Sequence, residues 1–208
     1  MGLSGQKTLV SNSAHNFNKR FYSGPRQFLD ALRNFAEHAD ELSGLRRRGL
    51  VSRTFAERIM LAVTAVNGCR YCSYAHAKWA LQSGIEAGEL RGFLDGEIDH
   101  APKKEVPALL FAQHYAESGD RPDPQMIEKL IKTYGPEKAR DIMAYIRMIT
   151  MGNLVGNTFD AFISRLRGAP APDSRPVNEL ATLALLVFGT IPFSLAVMVK
   201  RLFKDRRR

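Results

Sequence analysis

Asn67-Gly68-Cys69-Arg70-Tyr71-Cys72-Ser73-Tyr74-Ala75-His76 closes one apolar helical pattern and opens another. The pattern before it runs from Val51 to Val66; Asn-Gly breaks it, and the next begins at the cysteines. Cys69 is therefore expected at or near a helix N-terminus, where unpaired backbone N–H groups and the positive dipole end favour a thiolate. Cys72 follows three residues later and His76 four after that, a spacing that stacks the three side chains on one helix face. Both cysteines of the chain lie in this stretch, which makes redox chemistry the leading hypothesis.

Glu57 can be placed by the same arithmetic. It lies about 15 Å back from the Asn-Gly turn along the upstream helix, and His76 about 12 Å beyond the turn on the downstream one, at 1.5 Å rise per residue. If the two helices fold back antiparallel, as so short a turn invites, carboxylate and imidazole meet at similar depth. Such a pair could pass a proton to or from a cysteine sulfur. Blander readings exist for each residue. Thr54-x-x-Glu57 also matches a helix-start capping box, with Ser52 an equally good cap. His76 could be a core histidine, and Cys69, Cys72, His76 and Glu57 could form an unusual zinc set. A structural disulfide is the weakest of these readings, since so short a loop removes little unfolded-chain entropy.

The spaced pattern Glu57-x11-Cys69-x2-Cys72-x3-His76, set in Ala65-Val66-Asn67-Gly68-Cys69, resembles the signature of the alkylhydroperoxidase D-like branch of the carboxymuconolactone decarboxylase superfamily. The similarity extends to Gly84–Gly96 and to Glu137–Arg167 with Asn153 and Asn157, covering about residues 25–168. It implies an all-α fold that assembles into homo-oligomers, commonly trimers or hexamers. It also implies that Cys69 and Cys72 cycle between dithiol and disulfide, with Glu57 and His76 as proton relay. Some members have a histidine just before the second cysteine, where this chain has Tyr71. The function so implied is reduction of alkyl hydroperoxides, recharged by a dithiol donor such as a lipoylated or thioredoxin-like protein, with no cofactor and no metal. Helix-end placement favours Cys69 as the attacking sulfur, whereas nearness to His76 favours Cys72. Two alternatives come from other classes: a lyase or isomerase of the carboxymuconolactone decarboxylase kind, and a non-catalytic membrane adaptor.

The rest of the chain agrees with a helical domain. Phe28, Leu29, Leu32, Phe35 and Ala36 repeat at helical spacing, as do Ile127, Leu130, Ile131 and Tyr134 after Asp123-Pro124. Prolines 102, 107, 122, 124 and 136 divide the middle into short helices, while Glu137–Arg167 reads as one long helix loosened at Gly152 and Gly156. Gly152-x3-Gly156 suits a close helix contact better than a nucleotide site, and no phosphate-binding glycine loop is present in the sequence. His15, His38, His100 and His114 have no ligand spacing between them.

Residues 1–24 are polar and read as a mobile arm without a signal-peptide core. The expected domain spans 25–168, a Pro-rich linker 169–177, a hydrophobic helix 178–199 and a basic tail 200–208. Leu180 to Val199 carries no charge over twenty residues, long enough to cross a bilayer core of about 30 Å as a helix. The tail holds six cations less Asp205, or +5, leaving +4 of the net +9 for everything upstream. A basic cluster beside an apolar segment suits anionic lipid head groups better than nucleic acid. The expectation is a membrane-associated protein with its catalytic domain on the cytoplasmic face, because a reducing compartment suits a recycled dithiol.

Overall fold

The computed structural model describes residues 19–172 and 174–188. Among these the chain is all helical, with no β-strand. Eight helices follow in order: α1 (Pro25–Glu37), α2 (Ala39–Arg48), α3 (Arg53–Asn67), α4 (Arg70–Gln82), α5 (Ala87–Leu94), α6 (Val106–Glu117), α7 (Pro124–Tyr134) and α8 (Pro136–Leu166). A further helical stretch covers 176–188. The prolines sit where a missing N–H costs nothing, in the first turns of α1, α6, α7 and α8.

The organising element is α3. Every residue from Phe55 to Thr64 is buried, so the helix is covered on all sides rather than along one stripe. Its neighbours are α4, α5, α6 and α8. Ile59, Leu61 and Val63 meet Phe93, Leu109, Phe111, Ile142 and Ile146 in one continuous apolar core. Two charged residues lie inside that buried stretch, and each has partners. Arg58 reaches Glu89 at 3.1 Å and Glu105 at 3.0 Å; Glu57 faces α4.

Ser52, not Thr54, caps α3: its hydroxyl accepts from Phe55 N–H at 3.2 Å, while the Thr54 hydroxyl donates to the Ser83 carbonyl at 2.7 Å. The capping-box reading of Glu57 therefore fails, and the glutamate is left to another role. At the other end Gly68 adopts φ 66°, ψ 28° and donates to the Thr64 carbonyl at 2.8 Å. A residue with a Cβ would be strained in this left-handed conformation, which turns the chain directly into α4.

The long helix α8, about 46 Å at 1.5 Å per residue, lies against α2, α3, α4, α6 and α7. It runs unbroken through Gly152 and Gly156, so the expected loosening there does not occur. Neighbouring turns hold the backbone hydrogen bonds in register, and a single glycine costs only about 1 kcal/mol against alanine. A smaller apolar cluster of Tyr22, Phe28 and Leu154 sits on its outer side, with Leu185 and Leu186 packed against it.

Residues 19–24, read from sequence as part of an arm, lie along α8: Tyr22 is buried and its N–H donates to Thr158 Oγ1 at 3.0 Å. The rest of that arm, residues 1–18, lies outside the described residues, as do 189–199 of the hydrophobic helix and the basic tail. The described start of that helix rests on the protein. Glu179 is buried and bonded to Arg165 at 2.8 Å, and Thr182 is buried beside it. No helix among the described residues is long and apolar enough to cross a membrane. A bilayer span beginning at Leu180 is thus not supported among the described residues.

Candidate functional site

Cys69 occupies the N-cap of α4. Its backbone is extended, and its sulfur accepts from Cys72 N–H at 3.3 Å, the part usually taken by a serine or aspartate oxygen. Cys72 then stands one turn in, with the two sulfurs 2.6 Å apart and both thiols free. Disulfide formation, at about 2.05 Å, needs little further approach. Cys69 has no exposed surface, whereas Cys72 is only partly buried.

One proton between two sulfurs does not divide evenly. Cys69 is lowered to about 7, chiefly by the hydrogen bond from Cys72; burial opposes this, and the N–H groups of Cys72 and Tyr71 and the Lys19 charge add to it. Cys72 is pushed up, first because its thiol is engaged by Cys69 and second by burial. The negative charge of the pair therefore rests on Cys69.

His76 is one turn beyond Cys72 on the same helix, and its Nδ1 lies 2.8 Å from Glu57 Oε2. Both residues are buried. The helical arithmetic that placed them at equal depth is met by this contact. Trp79 closes over the imidazole edge-on, at 5.0 Å between ring centres. With Nδ1 turned to the carboxylate, Nε2 is the nitrogen left for proton exchange. Among the described residues no three of His, Cys, Asp and Glu converge as metal ligands would.

The long helix supplies what the motif lacks. Gly156 faces the cysteine pair so closely that a Cβ built there would lie 2.6 Å from Cys69 Sγ and 3.8 Å from Cys72 Sγ. This is the close helix contact expected of the Gly152-x3-Gly156 pair, but only Gly156 makes it; nothing stands within 4 Å of a Cβ at Gly152. Asn157, the next residue, donates to both the Asn67 and Arg20 carbonyls at 2.8 Å, tying the turn before Cys69 and the 19–22 segment to α8. Asn153 accepts from Thr64 at 3.1 Å, one further turn along the same seam. Tyr71 leans on Phe159, at 5.7 Å between rings, and the Arg70 guanidinium lies over the Tyr71 ring at 4.9 Å.

Sequence reasoning missed Lys19 and Asp160. Asp160 binds Lys19 at 2.9 Å and also pairs with Arg70, so a cation is held near the Cys69 turn by a residue ninety-one positions later. No local spacing carries that signal; only the fold does.

Residues 27–113 match the carboxymuconolactone decarboxylase family, a span that takes in Glu57, Cys69, Cys72 and His76. No curated protein and no solved structure matches the chain.

Proposed function

We propose that this protein, whose residues 27–113 match the carboxymuconolactone decarboxylase family, is a thiol-dependent peroxidase that reduces organic hydroperoxides through Cys69 and Cys72. The observation that carries this reading is the pair of free sulfurs 2.6 Å apart, with a buried His76–Glu57 pair one turn further along the same helix. In this reading Cys72 attacks, supported by its partial exposure beside a Cys69 that exposes no surface. The Cys69 thiolate, stabilised by the N-cap position, takes the Cys72 proton as the peroxide arrives.

The Cys72 sulfur then bonds to the outer peroxide oxygen as the O–O bond breaks, giving a sulfenic acid and an alkoxide. His76, braced by Glu57, protonates the alkoxide to the alcohol. The Cys69 thiol attacks the sulfenic sulfur, the S–S bond forms and water leaves. Two electrons have passed from the dithiol to the peroxide. An external dithiol protein, lipoylated or thioredoxin-like, restores the thiols by exchange.

The test is a stopped reaction of reduced protein with cumene hydroperoxide, counting thiols and alcohol product. Two thiols lost per alcohol formed is expected, with Cys69→Ser and Cys72→Ser each ending turnover. Full turnover in either variant would sink the mechanism. Unchanged thiols in the parent would instead favour the lyase or adaptor readings.

Membrane association also belongs to this reading, in a form that lies on the surface. The exposed side of the 176–188 helix carries Val177, Leu180, Val187 and Phe188, an apolar stripe at helical spacing that continues in sequence into uncharged residues and a +5 tail. Assembly of several copies is proposed from the family resemblance alone.

A further inference from the structure

A cavity of about 660 Å³ opens between the 19–23 segment, α1, α6 and α8, within the size range of small-molecule sites. None of the four motif residues lines it. Its apolar wall is made by Phe35, Leu42, Met151 and Leu154. Two further residues that line the cavity carry hydroxyls whose hydrogen-bonding capacity is not used up. Tyr22 Oη and Thr150 Oγ1 are buried and make no hydrogen bond among the described residues. Tyr22 is 4 % exposed and Thr150 4 %, so neither hydroxyl is a surface group that bulk water serves freely. Leaving a buried hydroxyl unpaired costs roughly 1–3 kcal/mol, and two at one cavity call for an explanation.

The charge around them has a sign. Lys19, Arg20, Arg121 and Arg147 line the cavity against two carboxylates, Asp30 and Asp120. Asp120 is already held by Arg20 in two hydrogen bonds, at 3.2 and 3.0 Å. Arg147 meets its carboxylate, Glu41, only at 3.6 Å, and Arg121 has no ion-pair partner among the described residues. Arg147 and Tyr115 both line the cavity. We infer that this cavity binds a small amphipathic carboxylate, its head group taken by Arg147 with the Tyr22 and Thr150 hydroxyls and its apolar body laid along Phe35, Leu42, Met151 and Leu154. Arginine suits the head group because its planar fork matches a carboxylate in two parallel bonds. The site needs no redox step and stands whatever the cysteines do.

The experiment titrates the full chain with octanoate by calorimetry, beside octanamide, which has the same shape without the charge. One saturable octanoate site per chain is expected, with octanamide weaker by about tenfold or more, the scale of a charge-assisted hydrogen bond. Arg147→Gln should weaken octanoate about as much. Tyr22→Phe and Thr150→Val should each weaken it about fivefold, yet melt no lower than the parent, because each removes a buried hydroxyl without a protein partner. Equal affinity for octanamide, unchanged affinity in the two hydroxyl variants, or no binding at millimolar octanoate would each overturn the site. A fall in the ligand-free melting temperature of Tyr22→Phe or Thr150→Val would overturn it as well, by showing that the hydroxyl serves the fold.

Discussion

At Gly156 the absence of a side chain lets α8 lie against the cysteine pair. Alanine there would set a methyl 2.6 Å from a sulfur that is buried and cannot swing into solvent, so Cys69 must shift off its N-cap. Gly156→Ala is therefore expected to raise the Cys69 pKa and slow thiol oxidation about tenfold or more, with both cysteines still present. Gly152→Ala is the control: its Cβ meets nothing, and helix propensity alone should add up to about 1 kcal/mol of stability. Thiolate absorbance against pH and a thermal melt read both effects; equal thiol titration in the two variants would refute the contact. The sequence announced a close approach from glycines four apart, but spacing treats them alike. Only the place where α4 crosses α8 distinguishes them. The same titration tests the pair itself. One thiolate should appear with a midpoint near pH 7 and the second should not follow it, because Cys72 is raised. Since Cys69 ionises more readily folded than free, its thiolate contributes stability above the unfolded thiol pKa. That contribution is lost as pH falls through about 7.

Among the elements, α3 shows what a local pattern can and cannot disclose. The Glu57–His76 contact was legible because both residues are counted from one turn, and helical rise converts that count into depth. The partners of Arg58, Glu89 and Glu105, were not. They come from α5 and from the residue before α6, and their arrival on α3 depends on how separate helices pack. The Ser52 cap and the Glu57 relay can be separated by experiment. Ser52→Ala should cost about 1 kcal/mol of stability and leave thiol chemistry unchanged, since it removes only the hydrogen bond to Phe55 N–H. Glu57→Gln and His76→Ala should slow oxidation of the thiols by hydroperoxide about tenfold to a hundredfold and alter its pH profile. A melt recorded beside the rate decides the assignment. Lowered stability with a normal rate and profile would return Glu57 and His76 to a purely structural part.

At the scale of the whole molecule, the described residues beyond 176 pack on the helical domain. The hydrophobic run beginning at Leu180 looks from sequence like a span because it has the length and lacks charge. Its first turns nevertheless close a polar contact, Glu179 with Arg165, and place Leu185 and Leu186 on the Tyr22, Phe28 and Leu154 cluster. Hydropathy could not show this, since it scores apolar content without saying which side faces protein. Cutting the chain after Phe188 should keep the contact and leave the melting temperature unchanged. Cutting after Pro176 removes Glu179, Leu185 and Leu186 together, strips cover from the outer cluster and leaves Arg165 without its carboxylate. The melting temperature should then fall by about 3 °C or more, at roughly 2–4 °C per kcal/mol for a chain of this size. Flotation with phosphatidylserine-containing vesicles separates the membrane role from this structural one. Loss of binding in both truncations, with the melt changed only in the shorter, is the outcome expected if residues beyond 188 supply the attachment. Undiminished binding by the chain ending at Phe188 would move the lipid contact onto the Val177, Leu180, Val187 and Phe188 stripe. No binding by the full chain would end the membrane reading and leave that stripe as a surface for another copy of the protein.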